Sequence, residues 1–411
     1  MGKTIVEKIL AQASGQSGVS AGDIVVAKAS FLMTNDAVGE LTVDAFEKLG
    51  RTPWNKEKIA VILDHYVPAT TENAARVHKL LREFSRKQGL HLFDQQGVCH
   101  QLMVENFIVP GDVILGTDSH TCTYGGIGAF STGVGSTDGA AAMATGEIWL
   151  KIPESIRIEL QGKLAPHVHA KDIILSVIGD LGADGATYKA LQFSGDGAAF
   201  ISNEGRFTMC NMAVEAGAKT GIFEPDQVTE QFVAASNRKG RFFRSDPDAE
   251  YRRRLSVDLD RLGPQVACPW SVDNVVPVDE VQGTCIDQAF VGSCTNGRIE
   301  DLRIVAGILD GKRIHPKVRM LVAPASQRIF CQAVTEGLIE TFIQSGAVVC
   351  NAGCSACFGG QGMLWDGEVC IGSHNRNFRA RMGHKDARVY LASPETVAVS
   401  AIAGRIDDPR Q

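Results

Sequence analysis

The sequence predicts an α/β fold built on largely parallel sheets, and two recurring patterns in the chain lead to that prediction. The first is a set of short, uninterrupted apolar runs, such as residues 59–63 (I-A-V-I-L), which are typical of strands buried on both faces. Longer stretches with helical periodicity lie between these runs. In residues 72–88, for example, Val77, Leu81 and Phe84 share one face.

The second pattern is a polar loop that directly follows each of five apolar runs. Parallel strands end at the same edge of a sheet, and ligands of α/β proteins bind beyond that edge. We therefore expect the five loops to converge on one cleft. They begin at Asp64, Gly116, Gly292, Asn351 and Gly372.

The length of the chain, 411 residues, allows two or three domains of about 100–200 residues each. A Gly/Ala-rich run over residues 125–146 closes a first unit, and a segment with two prolines, residues 269–281, is typical of a linker. The sequence therefore predicts three units, at residues 1–153, 154–268 and 269–411.

Composition and charge exclude several classes of protein. The net charge of −6 and the lack of a concentrated basic and aromatic face argue against a nucleic-acid partner. No window approaches 18 uncharged apolar residues, and the N-terminus lacks the apolar core of a secretory signal. Eleven cysteines without such a signal argue against a disulfide framework. We expect a cytoplasmic protein with no membrane or nucleic-acid partner.

Three cysteines lie in loops of the kind that hold a metal. Cys354 and Cys357 form a C-x-x-C motif among small residues, and Cys294 follows another apolar run. A lone C-x-x-C also occurs in redox pairs and in halves of zinc sites, so a zinc-stabilised binding module stays open as an alternative. Three thiolates can instead hold three irons of a cubane cluster and leave the fourth iron free to act as a Lewis acid.

Histidines, carboxylates and arginines in the remaining loops suit acid–base chemistry on an anionic substrate. A histidine beside a carboxylate is tuned for proton transfer near neutral pH, although each such pair alone is more often a structural hydrogen bond. Guanidinium groups bind carboxylates through two parallel hydrogen bonds. With the thiols, these groups predict a small polycarboxylate whose hydroxyl group leaves or adds. They are Asp64, His65, His100, Asp118, His120, Arg376 and Arg381.

Four ordered motifs carry a family resemblance. They are G-T-D-S-H-T-C-T-Y-G from Gly116, V-G-S-C-T-N-G-R from Val291, G-C-S-A-C from Gly353 and N-R-N-F-R-A-R-M-G from Asn375. The set resembles the aconitase superfamily, and within it the separate large subunits of 3-isopropylmalate dehydratase and their relatives. The resemblance runs from about residue 20 to the C-terminus. It implies three-layer α/β/α domains with largely parallel sheets and without the mobile swivel domain.

The resemblance also implies a role for each candidate residue. Cys294, Cys354 and Cys357 match the ligands of one [4Fe–4S] cluster per subunit, with one labile iron. The matching catalytic residues are Asp64, His65, His100, Asp118, His120 and Glu215. The matching substrate-binding residues are Ser119, Asn211, Asn375, Arg376 and Arg381.

The activity implied is that of a hydro-lyase that dehydrates and rehydrates a hydroxy dicarboxylate. The favoured reaction is the interconversion of 3-isopropylmalate and 2-isopropylmalate in leucine biosynthesis. The alternative substrates are 2,3-dimethylmalate, citraconate/2-methylmalate and homoaconitate. A more distant alternative is an iron-responsive RNA-binding protein. In this family the swivel domain carries a serine base, and the sequence has no counterpart of that domain up to residue 411. A small partner subunit is therefore expected to supply it.

Three departures from the family pattern bear on the substrate more than on the reaction. The family loop commonly reads G-C-G-P-C, whereas Ser355 and Ala356 separate these cysteines. His374 stands where small hydroxyl residues are common. Glu40 would repel a substrate anion if its carboxylate pointed into the cleft.

Overall fold

The computed structural model describes residues 2–411, which contain three main sheets in succession along the chain. Five parallel strands form the first sheet, in the order β4-β3-β2-β5-β6, and a short antiparallel ribbon pairs β1 with β7. The elements are α1 (Ile5–Ser14), β1 (Ile24–Lys28), β2 (Phe31–Asn35), α2 (Gly39–Leu49), β3 (Ile59–Leu63), α3 (Glu72–Gln88), β4 (His91–Asp94), α4 (Cys99–Asn106), β5 (Val113–Gly116), β6 (Phe130–Gly133), α5 (Ser136–Thr145) and β7 (Glu147–Lys151).

Both faces of the first sheet are covered. Along β3, Ala60 and Ile62 pack into a cluster with α4, whereas Val61 and Leu63 pack into a second cluster with α2, α3 and α5. Consecutive side chains of a strand point to opposite faces, so an unbroken apolar run is what a doubly covered strand requires. The predicted helix over residues 72–88 is confirmed as α3.

The second sheet has four parallel strands in the order β10-β9-β8-β11. Its apolar cluster continues into side chains of the third sheet, so the two sheets share part of one core. The elements are β8 (Ser155–Gln161), α6 (Ala170–Leu181), β9 (Ala190–Ser194), α7 (Asn203–Met212), β10 (Thr220–Phe223), α8 (Gln227–Ala235) and β11 (Arg253–Asp258).

The third sheet has seven strands in the order β13-β12-β18-β17-β14-β15-β16, and its last five are parallel. The elements are β12 (Gln265–Ala267), β13 (Val275–Pro277), β14 (Gln288–Gly292), α9 (Ser293–Asn296), α10 (Ile299–Leu309), β15 (Arg319–Ala323), α11 (Gln327–Thr335), α12 (Leu338–Ser345), β16 (Val348–Val349), β17 (Val369–Gly372), β18 (Arg388–Leu391) and α13 (Pro394–Ala403).

Parallel sheets covered by helices confirm the predicted α/β class. The predicted unit boundaries stay predictions; β12 pairs within the third sheet although it precedes residue 268. No helix within residues 2–411 is both long enough and apolar enough to cross a membrane. The polar loops emerge at the carboxyl ends of β2, β3, β5, β14, β16 and β17, where they meet.

Candidate active site

The first part of the site is built around a buried carboxylate at the end of β2. Asp36 accepts hydrogen bonds from the backbone N–H groups of Asp64, His65 and Tyr66, at 3.2, 2.9 and 3.0 Å. His78 on α3 lies 2.9 Å from the same carboxylate through Nε2. The loop after β3 is therefore fixed in place by a residue on the neighbouring strand.

The ring of His65 lies between two carboxylates. Its Nδ1 is 2.8 Å from Asp64 Oδ1 and 3.6 Å from Asp36 Oδ1. Burial acts to lower the pKa of His65, but the charges and hydrogen bonds of Asp64 and Asp36 outweigh it and raise that pKa well above its usual value. These two carboxylates therefore favour the protonated form of His65.

Asp64 has a second task at the start of α4. Its Oδ2 accepts the backbone N–H of Cys99 at 2.6 Å, which satisfies a donor at the N-terminus of that helix. The next residue of α4, His100, projects its Nε2 to 2.8 Å from Asp118 Oδ1. His65 Nε2 is 3.9 Å from the other oxygen of Asp118, so the loops after β3 and β5 face each other.

Asp118 is the centre of the second group. Besides His100, its Oδ1 accepts the backbone N–H of His120 at 2.8 Å, and His100 Nδ1 lies 3.1 Å from the Tyr124 hydroxyl. Burial acts to raise the pKa of Asp118, but His100 and His120 outweigh it and hold that pKa well below the usual range. Asp118 therefore stays a carboxylate.

Glu215 joins side chains from all three sheets. It lies in the short 3₁₀ segment after α7, and its Oε1 is 2.7 Å from His120 Nε2 and accepts a hydrogen bond from Arg376 Nε at 2.8 Å. Burial would raise the pKa of Glu215, but His120 and Arg376 lower it on balance. The Arg376 side chain is 22% exposed, so its guanidinium is held in place while still reachable.

The three candidate thiols converge, as the sequence predicts. Asn375 contacts two of them: its Nδ2 lies 3.5 Å from Cys294 Sγ, and its Oδ1 lies 3.4 Å from Cys357 Sγ. Asn211 donates to Cys294 Sγ at 3.2 Å and accepts from Asn375 Nδ2 at 3.2 Å. The two asparagines therefore tie α7, the loop after β14 and the loop after β17 around the sulfur atoms.

The C-x-x-C loop lies directly against the acid–base group. Cys354 donates its backbone N–H to the carbonyl oxygen of Asp64 at 2.9 Å. A Cβ at Gly353 would lie 2.8 Å from that same oxygen, so only glycine permits this approach. Ser355 takes a φ of +53° at the start of a 3₁₀ turn, Ser355–Phe358, in a conformation that glycine adopts at less cost.

The protonation of the thiols follows from their neighbours. A hydrogen bond from Cys354 together with the Arg381 guanidinium holds the pKa of Cys357 well below its usual value, and the pKa of Cys354 is raised in turn. Burial raises the pKa of Cys294 to about 12. Arg381 Nη2 lies 3.5 Å from Cys357 Sγ. Because metal-bound thiols are deprotonated, loading of this site releases protons.

Some buried polar atoms beside the thiols have no partner within residues 2–411. They include both ring nitrogens of His374 and the Nε of Arg381. Buried polar groups in folded proteins are nearly always hydrogen bonded, so the unpartnered Nε of Arg381, whose Nη2 contacts Cys357, fits an anionic group bound at the thiols. Three thiols, a guanidinium and donor-bearing side chains suit an anionic metal–sulfur group.

Sequence reasoning missed several residues that shape the site. Asp36 and His78 position His65, and Asp36 directly follows β2, although the polar residues Thr34 and Asn35 at the end of that strand interrupt the apolar pattern. Arg298, 1% exposed, donates to the carbonyl oxygens of Cys294 and Thr295 at 2.6 and 2.9 Å. A charged residue beside an apolar run gives no sign of its burial, so spacing alone could not reveal Arg298.

Two further residues singled out in the sequence are Ser119 and Glu40. Ser119 lines a cavity of about 300 Å³ with Gly135 and Lys219. Glu40 forms a two-point ion pair with Arg76, at 2.7 and 2.8 Å, so its charge is compensated at the surface. Glu40 would repel a substrate anion only if its carboxylate pointed into the cleft, and this ion pair holds the carboxylate on Arg76 instead.

This fold and this set of side chains define a class: an α/β enzyme with three convergent thiols beside histidine–carboxylate pairs and arginines. The Aconitase family (aconitate hydratase) matches the chain over residues 7–284 and 279–404. The chain therefore belongs to the aconitase family, whose members generally bind a [4Fe–4S] cluster.

Full-length relatives are similar along the whole chain. The 3-isopropylmalate dehydratase large subunit 1 of Methanopyrus kandleri is 49% identical and covers 100% of this chain, which covers 99% of that protein. The 3-isopropylmalate dehydratase large subunit of Moorella thermoacetica is 47% identical with the same coverage. A probable methanogen homoaconitase large subunit of Methanothermobacter thermautotrophicus is 48% identical, covers 99% of this chain and is covered over 97% of its own length.

Proposed function

We propose that this chain is the large catalytic subunit of a hydro-lyase that interconverts 3-isopropylmalate and 2-isopropylmalate by dehydration and rehydration. The observation that carries the proposal is the convergence of three thiols with two arginines and a histidine held between two carboxylates in a single site. Relatives that match the chain from end to end carry the name of this dehydratase.

The three thiols are proposed to hold one [4Fe–4S] cluster per chain through Cys294, Cys354 and Cys357. Three protein ligands leave one iron without a thiolate, and that iron is proposed to be the labile one. When bound, the cluster supplies a Lewis acid for the hydroxyl and carboxylate oxygens of the substrate. Asn211 and Asn375 hold the sulfur atoms in register, because each amide contacts Cys294.

His65 is proposed to give its proton to the departing hydroxyl. Hydroxide is a poor leaving group, so a positioned acid lowers the barrier, and a well-placed one contributes about 100- to 10,000-fold in rate. The carboxylates of Asp64 and Asp36 keep His65 charged and fix its ring. Asp118 lies 3.9 Å from His65 Nε2 and is proposed, with His100, to orient the exchange of that proton.

Arg376 and Arg381 are proposed to bind the two carboxylates of the substrate. Glu215 holds Arg376 through Nε alone, which leaves the two terminal nitrogens of the fork for a carboxylate. The same glutamate anchors His120, so substrate binding and the acid–base group are linked. Ser119, Asn211 and Asn375 complete the proposed substrate contacts.

A small partner subunit that carries the swivel domain is proposed to complete the site. The relatives are named as large subunits, which supports a second chain of this kind. The proposed base that removes the substrate proton belongs to that domain. The chain alone is then expected to bind the cluster without turnover.

Homoaconitate is the second candidate substrate. It is favoured by the homoaconitase relative, whose 48% identity to this chain lies between the 49% and 47% of the two dehydratase subunits named above. The residues proposed to bind carboxylates serve either acid, since the two differ in the group attached beside the reacting carbons. Specificity is then proposed to depend partly on the partner subunit.

The test is anaerobic reconstitution of the full chain with iron and sulfide, followed by assembly with candidate small subunits. Isopropylmaleate, homoaconitate, dimethylmaleate and citraconate are then offered for hydration or dehydration. Turnover of isopropylmaleate alone supports the proposal. Turnover of homoaconitate alone replaces the substrate, and no turnover by a complex with a full cluster overturns the hydro-lyase assignment.

A further inference from the structure

Arg298 is a buried arginine whose guanidinium forms hydrogen bonds only with uncharged oxygen atoms within residues 2–411. It is 1% exposed and donates to the carbonyl oxygens of Cys294 and Thr295, at 2.6 and 2.9 Å, and to Gln101 Oε1 at 3.1 Å. Asp301 accepts a hydrogen bond from the backbone N–H of Arg298 and not from its guanidinium. Burial of a charge is costly unless the group is hydrogen bonded, so these contacts keep the side chain in one position.

The turn that carries Cys294 needs support from outside. The helix α9 has only four residues, Ser293–Asn296, and the last carbonyl groups of a helix have no partner within it. Ser293 at its start has a φ of +68°, a left-handed conformation that is unfavourable for a residue with a Cβ. Arg298 binds the carbonyl oxygens of Cys294 and Thr295, so it holds this turn from its C-terminal side.

The same guanidinium reaches the helix that carries His100. Gln101 on α4 accepts from Arg298 Nε, and its own Nε2 donates to Glu105 Oε1 at 2.9 Å, which determines which end of the amide faces the arginine. His100, the preceding residue on α4, belongs to the proposed acid–base group. One buried side chain therefore joins the turn of Cys294 to the helix of His100.

We propose that Arg298 is a positioning residue for the hydro-lyase reaction, which fixes the place of the Cys294 sulfur relative to the His100 imidazole. The inference rests on the proposed function, because this relation affects turnover only if Cys294 is a cluster ligand. Three contacts on two elements require the planar, branched guanidinium, whereas lysine offers a single ammonium group. A displacement of about 1 Å between reacting groups can cost about 100-fold in rate.

The test compares the full chain with three variants. Arg298→Lys keeps the charge and loses the branched guanidinium. Gln101→Leu removes the contact with α4 and leaves the two carbonyl contacts of Arg298 in place. Arg206→Lys is the matched control, because Arg206 is also fully buried and its guanidinium pairs with Asp226, which is not a site residue.

Two measurements are made on each protein. Amide hydrogen exchange, followed by mass spectrometry on the chain without a cluster, reports on residues 293–297 for the turn of Cys294 and on residues 99–103 for α4. The kcat and KM of the reconstituted complex with the small subunit report on the arrangement of the reacting groups. The exchange measurement does not depend on the proposed function.

We expect Arg298→Lys to exchange faster in both segments and to have a kcat lower by about 10- to 100-fold. Its KM should stay unchanged, because the arginines proposed to bind substrate keep their contacts. Gln101→Leu should exchange faster only over residues 99–103, with a smaller loss of kcat. Arg206→Lys should match the wild type in both segments and in kcat.

Wild-type exchange in both segments of Arg298→Lys, or a wild-type kcat, overturns the inference and leaves the proposed function intact. Faster exchange of the two segments in Arg206→Lys to the same extent also overturns it, because the effect would then be a general loss of stability. If Arg298→Lys does not fold, Gln101→Leu decides, and unchanged exchange over residues 99–103 overturns the inference. A wild-type complex with a full cluster and no turnover overturns the proposed function and this inference together.

Discussion

Asp36 Oδ1 lies 2.9 Å from the backbone nitrogen of His65 and 3.6 Å from its Nδ1, so one buried carboxylate fixes both the main chain and the ring. Burial would raise the pKa of Asp36, but its hydrogen bonds to His65 and His78 lower that pKa below the normal range for aspartate. The carboxylate is therefore charged at any working pH. His65 depends on it for both orientation and protonation.

Asp36→Asn is expected to lower turnover by about 10- to 100-fold, a part of what a positioned acid contributes. The amide keeps the shape of the side chain but removes the charge that helps to raise the pKa of His65. That pKa falls, so the loss of activity at alkaline pH moves to lower pH. The measurement is the pH profile of kcat in the complex with the small subunit.

The control for this change is Asp44→Asn on the exposed face of α2, which is expected to leave the profile unchanged. A profile for Asp36→Asn that overlays the wild type would show that His65 does not need this carboxylate. Iron content should stay constant in both variants, because Asp36 contacts no thiol.

The sequence predicted the parts of the fold whose residues act locally. The run over residues 59–63 identified a strand because an apolar stretch without alternation fits only a doubly covered sheet. The convergence of Cys294 with Cys357 was also predictable, because both follow strands of one parallel sheet. Cysteines and histidines paired with carboxylates are uncommon in loops, so their residue type alone marked them as candidate site residues.

Residues whose role depends on burial were missed for a physical reason. Charged residues normally face solvent, yet Lys171 on α6 and Arg298 at the N-cap of α10 are both buried and hold the carbonyl groups of site loops. The partners of Lys171, which are Ser373 and His374, are distant in sequence, so no local pattern reports that contact. The partners of Arg298 are only three and four residues away, but its burial depends on packing against other parts of the chain. Asp36 could have been predicted from the sequence, since it follows β2 as Asp64 follows β3. A single aspartate after a strand is weak evidence for a site unless its spatial neighbours are known.

Cys357→Ala is expected to abolish cluster binding, with iron and sulfide falling from about four of each per chain toward none. Cys350→Ala is the matched control, because Cys350 is also buried and is not a proposed ligand. It directly precedes the loop that carries Cys354 and Cys357. The variant with alanine at position 350 should keep its iron. Equal iron content in the two variants would contradict the assignment of Cys357.

Ala380→Gly is expected to stabilise the chain by about 1 kcal/mol, since Ala380 is exposed and has a φ of +63°, which costs a residue with a Cβ about 1–2 kcal/mol. Because Ala380 is exposed, glycine at this position loses little apolar burial. Urea unfolding of the full chain measures the change. Ala141→Gly, on the exposed face of α5, should instead destabilise by about 1 kcal/mol, and a matching loss at position 380 would contradict the argument.

Glu395 at the start of α13 accepts from two histidines that precede α6. His169 Nε2 and His167 Nδ1 lie 2.6 and 2.7 Å from its two oxygens. Burial acts to lower the pKa of His169, but Glu395 outweighs it and raises that pKa; burial acts to raise the pKa of Glu395, but the histidines lower it. The contact thus fastens the start of α6, which carries Lys171, to the last helix.

The pH dependence of this contact follows from the raised pKa of His169 and the lowered pKa of Glu395. The raised pKa of His169 adds stability that is complete below its ordinary value of about 6.5 and is lost as pH rises through the folded value. The lowered pKa of Glu395 adds stability above about 4.5 that is lost as pH falls through the folded value. Glu395→Gln is therefore expected to lower the free energy of unfolding by about 1 kcal/mol at pH 6 and by less at pH 9. Urea midpoints at the two pH values measure this change. The variant His167→Gln should have a smaller effect than Glu395→Gln, because His167 is more exposed than His169. If Glu395→Gln lost the same free energy of unfolding at both pH values, the charged pair would contribute nothing.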